Sequence, residues 1–110
     1  NILKDLRNLG YKTYILSNFI KETYAYIEKK YDIFHLFDGQ IISGFEKAIK
    51  PEKNIYLLLL NRYQLIPEES LFIDDVLFYL KPAKKLGMKT IWNKPETNLR
   101  EEFKKSGILV

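Results

Sequence analysis

The sequence predicts an α/β fold in which a parallel sheet carries helices on both faces. Three observations predict it. Short runs of β-branched and aromatic residues alternate with segments whose apolar residues recur at helical spacing. The run Leu71-Phe72-Ile73 is apolar without alternation, as suits a strand covered on both faces, and it ends abruptly in Asp74-Asp75. Other polar residues with chemical capability, among them Ser17, Asn18 and Lys50, also follow predicted strands. The carboxyl ends of strands are the edge at which open α/β sheets gather function.

Each element has its own signal. Ile2, Leu3, Leu6 and Leu9 share a face at helical spacing, and Gly10 stops that first helix. Tyr11 to Leu16 has the aromatic and β-branched content of a strand, and ends in Ser17-Asn18, types that favour turns and helix caps. A helix is expected over about Ile20 to Lys30, with Tyr24, Ile27 and Tyr31 on one face. Ile33 to Phe37 reads as a helical turn or an irregular packed connection, and Asp38-Gly39 as a turn. Gln40 to Ser43 is a short predicted strand closed by Gly44. Pro51 fits the first position of a helix running to about Tyr63. Pro67 to Ser70 connects to the strand Leu71–Ile73. A further helix is expected to reach about Leu86, with Pro82 in its first turn and Gly87 as its C-cap. Met88 to Trp92 is the last predicted strand, and Pro95 to Lys105 the last helix.

Composition narrows the function classes. At 110 residues and 46% hydrophobic content the chain suits one small domain with a modest core. It has no cysteine and a single histidine, His35, which removes disulfides, thiolate metal sites and the usual zinc ligand sets. His35 reads as a packed or partly exposed ring, and Trp92 and the tyrosines as core and rim. The net charge of +4 comes from lysines scattered among acids; Lys81, Lys84, Lys85 and Lys89 read as a solvated helix face, and no nucleic-acid signature accompanies them. No apolar run approaches the ~20 residues of a membrane span, and no signal peptide is visible, so a cytoplasmic setting is expected. The chain opens at Asn1, within a helical pattern, as if cut from something longer.

Adjacent carboxylates repel each other and resist burial, so Asp74 and Asp75 need compensation. A divalent cation with oxygen ligands supplies it, as does a nearby lysine; alternatively Asp75 caps the next helix. Ser17 and Asn18 have the same capping alternative, and Lys50 that of an ordinary surface lysine.

Taken together, Tyr14-Ile15-Leu16-Ser17-Asn18, Lys50-Pro51, and Phe72-Ile73-Asp74-Asp75 with Leu86-Gly87-Met88 behind it resemble, in order and spacing, the second, third and fourth motifs of the haloacid dehalogenase (HAD) superfamily of hydrolases. The resemblance covers nearly all of the chain. It implies a Rossmann-like core and Mg²⁺-assisted phosphoryl transfer from a small phosphorylated metabolite to an aspartate nucleophile. Ser17 would hydrogen-bond a phosphoryl oxygen, Asn18 would shape the same pocket, and Lys50 would offset charge on nucleophile and phosphate. Asp74 and Asp75 would hold the cation, directly or through water. The paired aspartates point to the phosphatase-type branch, since members that remove halide need no cation.

Two departures from the family pattern matter. The first motif, Asp-x-Asp, is absent: Asp5, Asp32 and Asp38 each lack a second aspartate two residues on. Tyr79 stands where a polar residue, often asparagine, commonly follows the paired aspartates. In the family the first-motif strand is central and lies between the strands ending here at Ser17 and Asp74. Removing one strand opens a gap of about 10 Å and exposes two inner edges. The chain is therefore expected to be a single partial core domain over residues 1–110. Another segment or chain completes the sheet, or the two halves close on each other. The isolated chain is expected to be inactive, and a degenerate, non-catalytic interaction module is the alternative.

Overall fold

The computed structural model describes all residues 1–110, and its four strands form two separate parallel pairs. Helix α1 spans Ile2–Asn8, capped by the Asn1 side chain accepting from the Lys4 N–H. Strand β1 is Tyr14–Ser17 and α2 is Lys21–Lys30, followed by a 3-10 turn over Asp32–Leu36. Strand β2 is Gly39–Ile42, α3 is the single turn Ser43–Glu46, and α4 is Lys53–Arg62. A 3-10 turn at Pro67–Glu69 leads into β3, Leu71–Asp74; α5 is Leu77–Lys85, β4 is Lys89–Trp92 and α6 is Leu99–Lys105. β1 pairs with β2 in the register Tyr14 opposite Gly39, and β3 with β4 in the register Leu71 opposite Lys89.

The α/β alternation and the parallel direction agree with the sequence, but the sheet is divided. β1 and β3 do not pair, and no other strand of the chain lies between them. A cleft of about 800 Å³ separates them, lined by Tyr14 and Leu16 of β1 and by Leu71, Phe72 and Ile73 of β3. The two halves do not close on each other. What holds them is a shared core on one face: Ile41 of β2 and Phe72 of β3 pack with Ile55, Tyr56 and Leu59 of α4 and with Leu80 and Ala83 of α5. The open inner edges explain why only 15 of 110 residues are buried, none of them in β1. Of the run Leu71–Ile73, expected to be buried throughout, only Phe72 is.

Several boundaries differ from those the sequence suggests; Ser43, expected to end a strand, opens α3. β1 begins at Tyr14 rather than Tyr11, because Asp38 clamps Thr13 first: its carboxylate accepts the Thr13 N–H at 2.7 Å, and its own N–H donates to the Thr13 carbonyl. Pro51 is not the first residue of α4; it follows a cis peptide bond in a turn, and the helix starts at Lys53. Pro82 lies well inside α5 rather than in its first turn. The carbonyl it leaves without an intrahelical donor is that of Phe78, an exposed residue in the first turn, so the cost falls at the solvent side of the helix start. α6 begins at Leu99 rather than Pro95, because Asn98 accepts from the Glu101 N–H and sets the cap there.

One glycine near the site has no room for a side chain. A Cβ on Gly44 would lie 2.4 Å from the Lys21 nitrogen and 2.7 Å from the Phe19 carbonyl oxygen, both backbone atoms. Gly44→Ala is expected to cost about 1–3 kcal/mol through forced displacement of α3 from the start of α2. A drop in the thermal midpoint checks it.

Candidate active site

Four of the polar residues singled out for the site lie at the carboxyl ends of β1 and β3 or directly after them. Ser17 is the last residue of β1, with Asn18 next, and Asp74 is the last residue of β3, with Asp75 next. Lys50 comes from the loop between α3 and α4. Hydrogen bonds joining Lys50 to Asn18 and to Asp74 bring the carboxyl ends of β1 and β3 to one place.

Asn18 fixes Lys50 through two backbone hydrogen bonds. The Lys50 N–H donates to Asn18 Oδ1 at 2.9 Å, and Asn18 Nδ2 donates to the Lys50 carbonyl at 3.1 Å. Asn18 is therefore no helix cap; α2 is preceded by Ile20 and has no side-chain cap. The Ser17 hydroxyl makes no hydrogen bond to the protein. Such a donor is disposed to bind something else.

Lys50 is 8% exposed, and is the one charged residue in the buried set. Its ammonium donates to Asp74 Oδ2 at 2.6 Å. It also lies 5.0 Å from the centre of the Tyr79 ring and 5.8 Å from that of Phe72, an aromatic pair that stabilises the cation as water is excluded. The other oxygen of Asp74 accepts the Val76 N–H at 2.9 Å. Burial pushes the Asp74 carboxyl up, but the hydrogen bonds from Lys50 and the Val76 N–H, with the lysine's charge, outweigh it and hold the carboxyl below its ordinary range. Of the three ways to compensate the paired acids, a lysine is thus present for Asp74. The capping alternative fails for Asp75, because Val76 occupies the cap of α5.

Asp75 is exposed, and its backbone carbonyl accepts the Trp92 indole N–H at 3.0 Å. That bond ties the loop after β3 to the end of β4. Tyr56 donates to the Tyr79 carbonyl at 2.5 Å from inside the core. Burial first, and the nearby charge of Asp74 second, push its hydroxyl above the ordinary tyrosine value, so it stays a neutral donor.

The site therefore offers a free hydroxyl, an amide, a caged ammonium, one buried carboxylate and one exposed carboxylate. Asp74 and Asp75 are hard oxygen donors, and no third acid or histidine joins them. That set fits Mg²⁺, which favours one or two carboxylates with water and phosphate oxygens completing its shell, and does not fit zinc. His35 stands apart on the 3-10 turn, exposed, and the four lysines of the α5–β4 region are also exposed. The sequence did not reveal the aromatic cage: Tyr79 registered only as a departure from pattern, and Phe72 only as core. A half-buried aromatic one helical turn beyond the paired aspartates was the available signal.

The family of haloacid dehalogenase-like hydrolases matches residues 1–87. Glyceraldehyde 3-phosphate phosphatase of Pyrococcus abyssi is 34% identical over 96 residues, 84% of this chain and 40% of that protein. A HAD family enzyme of Bacteroides thetaiotaomicron, solved with magnesium and inorganic phosphate, superposes with a TM-score of 0.82 at 27% identity, over 93% of this chain and 54% of that one. A HAD phosphatase of Thermococcus onnurineus gives a TM-score of 0.81 at 28% identity, over 97% and 55%. The chain thus spans between two fifths and just over half of the lengths of these relatives. The Bacteroides thetaiotaomicron enzyme is also solved as a magnesium complex.

Proposed function

The chain belongs to the haloacid dehalogenase-like hydrolases, and from that membership we propose that it carries most of the phosphate- and metal-binding half of a Mg²⁺-dependent phosphatase acting on a small phosphomonoester. The observation that carries this is the linkage Asn18–Lys50–Asp74, which joins three separate segments at one strand edge by hydrogen bonds of 2.6 to 3.1 Å. Relatives described as phosphatases, of glyceraldehyde 3-phosphate in Pyrococcus and of a sesquiterpene in Aspergillus oryzae, support the reaction class. The substrate itself follows from elements outside these residues. No helix is long and apolar enough to cross a membrane. The cytoplasm, where phosphorylated metabolites reside, is the setting this reading implies.

The roles follow from the chemistry. Phosphoryl transfer asks a protein for position and charge rather than covalent help, apart from the nucleophile. Ser17 Oγ donates to a phosphoryl oxygen. Asn18 holds the Lys50 backbone so that the ammonium stays beside Asp74. Lys50 neutralises the phosphoryl group and the attacking carboxylate. Asp74 and Asp75 hold Mg²⁺, which supplies positive charge against the oxygens of the transferring group. The attacking carboxylate is an aspartate on a segment outside residues 1–110, arriving on the strand that completes the sheet between β1 and β3. The 110 residues are then one partial core domain.

The 110-residue chain alone is expected to give no turnover of p-nitrophenyl phosphate with Mg²⁺, and the coding sequence before Asn1 to carry an Asp-x-Asp motif. Turnover by this chain alone, abolished by Asp75→Ala, would put the nucleophile within it and end the proposal. A second reading, a degenerate interaction module, is favoured by Tyr79 and by Lys50 and Asp74 neutralising each other. A natural product that begins at Asn1 and fails to bind inorganic phosphate with Mg²⁺ would select it.

A further inference from the structure

We infer that Trp92 is a positioning residue: its indole N–H holds the peptide between Asp75 and Val76, and through that peptide orients both carboxylates of the Asp74-Asp75 pair. This rests on the proposed function only in giving those carboxylates a cation to hold; the restraint itself is read from hydrogen bonds within the chain.

The restraint begins in the sheet. Trp92 ends β4 directly opposite Asp74, which ends β3. Residues in register on neighbouring strands send their side chains to the same face, so the indole leaves the sheet on the side of the Asp74 carboxylate. From there Nε1–H donates to the Asp75 carbonyl at 3.0 Å. The next residue, Asn93, donates its backbone N–H to the Asp74 carbonyl at 2.9 Å. Two successive carbonyls of the acid pair are therefore held from the end of one strand. The Asp75 carbonyl shares a planar unit with the Val76 N–H, and a peptide plane turns as one body. That N–H donates to Asp74 Oδ1 at 2.9 Å. The plane is thus held at both poles, by Trp92 at its oxygen and by the Asp74 carboxylate at its nitrogen. With the oxygen released, the plane is free to swing. Asp74 then loses a fixed partner, and the backbone from which the exposed Asp75 carboxylate projects turns with the plane.

The indole is itself held in place. The Lys94 ammonium lies 4.9 Å from the centre of its ring. The Thr97 hydroxyl accepts the Lys94 N–H at 3.0 Å and donates to the Trp92 carbonyl at 3.4 Å, which fixes the backbone behind the ring. Trp92 is 42% exposed, so burial does not account for so large a ring at this position. Its donor does: leucine or phenylalanine would cover the same surface and leave the Asp75 carbonyl without a partner. Groups that orient metal ligands commonly change metal affinity by about 10- to 100-fold when removed, and Trp92 has that relation to Asp74 and Asp75.

Trp92 is the only tryptophan of the chain, so a ring analogue supplied during expression changes one position. The analogue β-(3-benzothienyl)alanine keeps the shape of the ring and replaces its N–H with sulfur, and Trp92→Phe removes the donor by substitution. In the metal-free, ¹⁵N-labelled chain both should speed hydrogen exchange at the Val76 amide by about tenfold, the scale of one hydrogen bond, and leave the Met88 amide unchanged. MgCl₂ titrated into each, followed at the Asp75 and Val76 amides, should bind about tenfold more weakly than to the wild type, with far-ultraviolet circular dichroism unchanged. Trp92→Phe combined with Asp75→Asn should lose less Mg²⁺ affinity than the product of the separate losses, because the indole acts through the residue already changed. A role in stability alone would lower the thermal midpoint and leave both the Val76 exchange and the Mg²⁺ affinity of the folded chain as in the wild type, and that result overturns the inference. Losses that multiply in full overturn it as well. If Trp92→Phe does not fold, the analogue decides. Failure of the wild-type Asp75 and Val76 amides to respond to Mg²⁺ speaks against the proposed function, and Val76 exchange in the metal-free chain then decides the role of Trp92 by itself.

Discussion

Lys50→Met is expected to cost about 3–5 kcal/mol of folding stability, the cost of leaving a buried charge without its partner. The cause is Asp74, whose side chain is 7% exposed and pairs with Lys50 at 2.6 Å. Methionine keeps the length and the packing against Phe72 and Tyr79 but gives the carboxylate nothing. Small domains hold only about 5–15 kcal/mol in total, so the variant should be close to unfolding at ambient temperature. Lys50→Met combined with Asp74→Asn should be more stable than Lys50→Met alone, because no uncompensated charge remains. Urea midpoints of the three proteins test this, and a double variant no more stable than the single one would show the pair to be incidental.

The same pair fixes a pH dependence and its sign. In the wild-type chain the Asp74 carboxyl is held below its ordinary value of 3.8. Its contribution is therefore present above that value and lost as pH falls through the lower, folded one. In Lys50→Met the lysine's hydrogen bond and charge are gone, leaving the Val76 N–H and the Asp75 side chain against burial, the largest influence, and the carboxyl is pushed up instead. Stability of the variant should then rise as pH falls from neutrality towards 4, the opposite slope. Thermal midpoints measured at a series of pH values read the two slopes directly.

Asp75→Asn should do the reverse of Lys50→Met: little to stability, much to activity. Asp75 is exposed, and its anchoring contact uses the backbone carbonyl, which asparagine keeps. Surface changes of this kind stay within about 0.5 kcal/mol. On the proposed function, however, the substitution removes one of the two carboxylates proposed to hold Mg²⁺ in the longer protein. Metal-derived charge stabilisation is worth several kcal/mol, and each 1.36 kcal/mol is tenfold in rate, so kcat should fall by about a hundredfold or more. Higher Mg²⁺ should recover part of the loss. An unchanged kcat would remove Asp75 from the metal site.

The sequence carried the order of elements and the identity of the site-forming segments well, because both rest on local signals. Gly10 and Gly87 stop helices where expected, each with a positive φ, 91° and 99°. Asp74 ends β3 and Ser17 ends β1. Local signals failed where a distant group competed. Proline chemistry suggested starts for α4 and α5 that the chain did not use, and Asn98 displaced Pro95 as the start of α6. The capping preference of Asn18 was overridden by Lys50, 32 residues away.

What the sequence determined by itself is therefore the alternation of strands and helices, the parallel sense of the sheet and the residue types at its carboxyl edge. These follow from periodicity and from the conformational limits of single residues. Only the tertiary structure decided that Lys50 spends its charge on Asp74 beneath two aromatic rings, and that β1 and β3 stand apart over an apolar cleft. Both outcomes depend on segments far apart in the chain meeting in space, where burial raises the cost of a lone charge and a helical layer holds two strand pairs at a distance that backbone pairing alone would have closed.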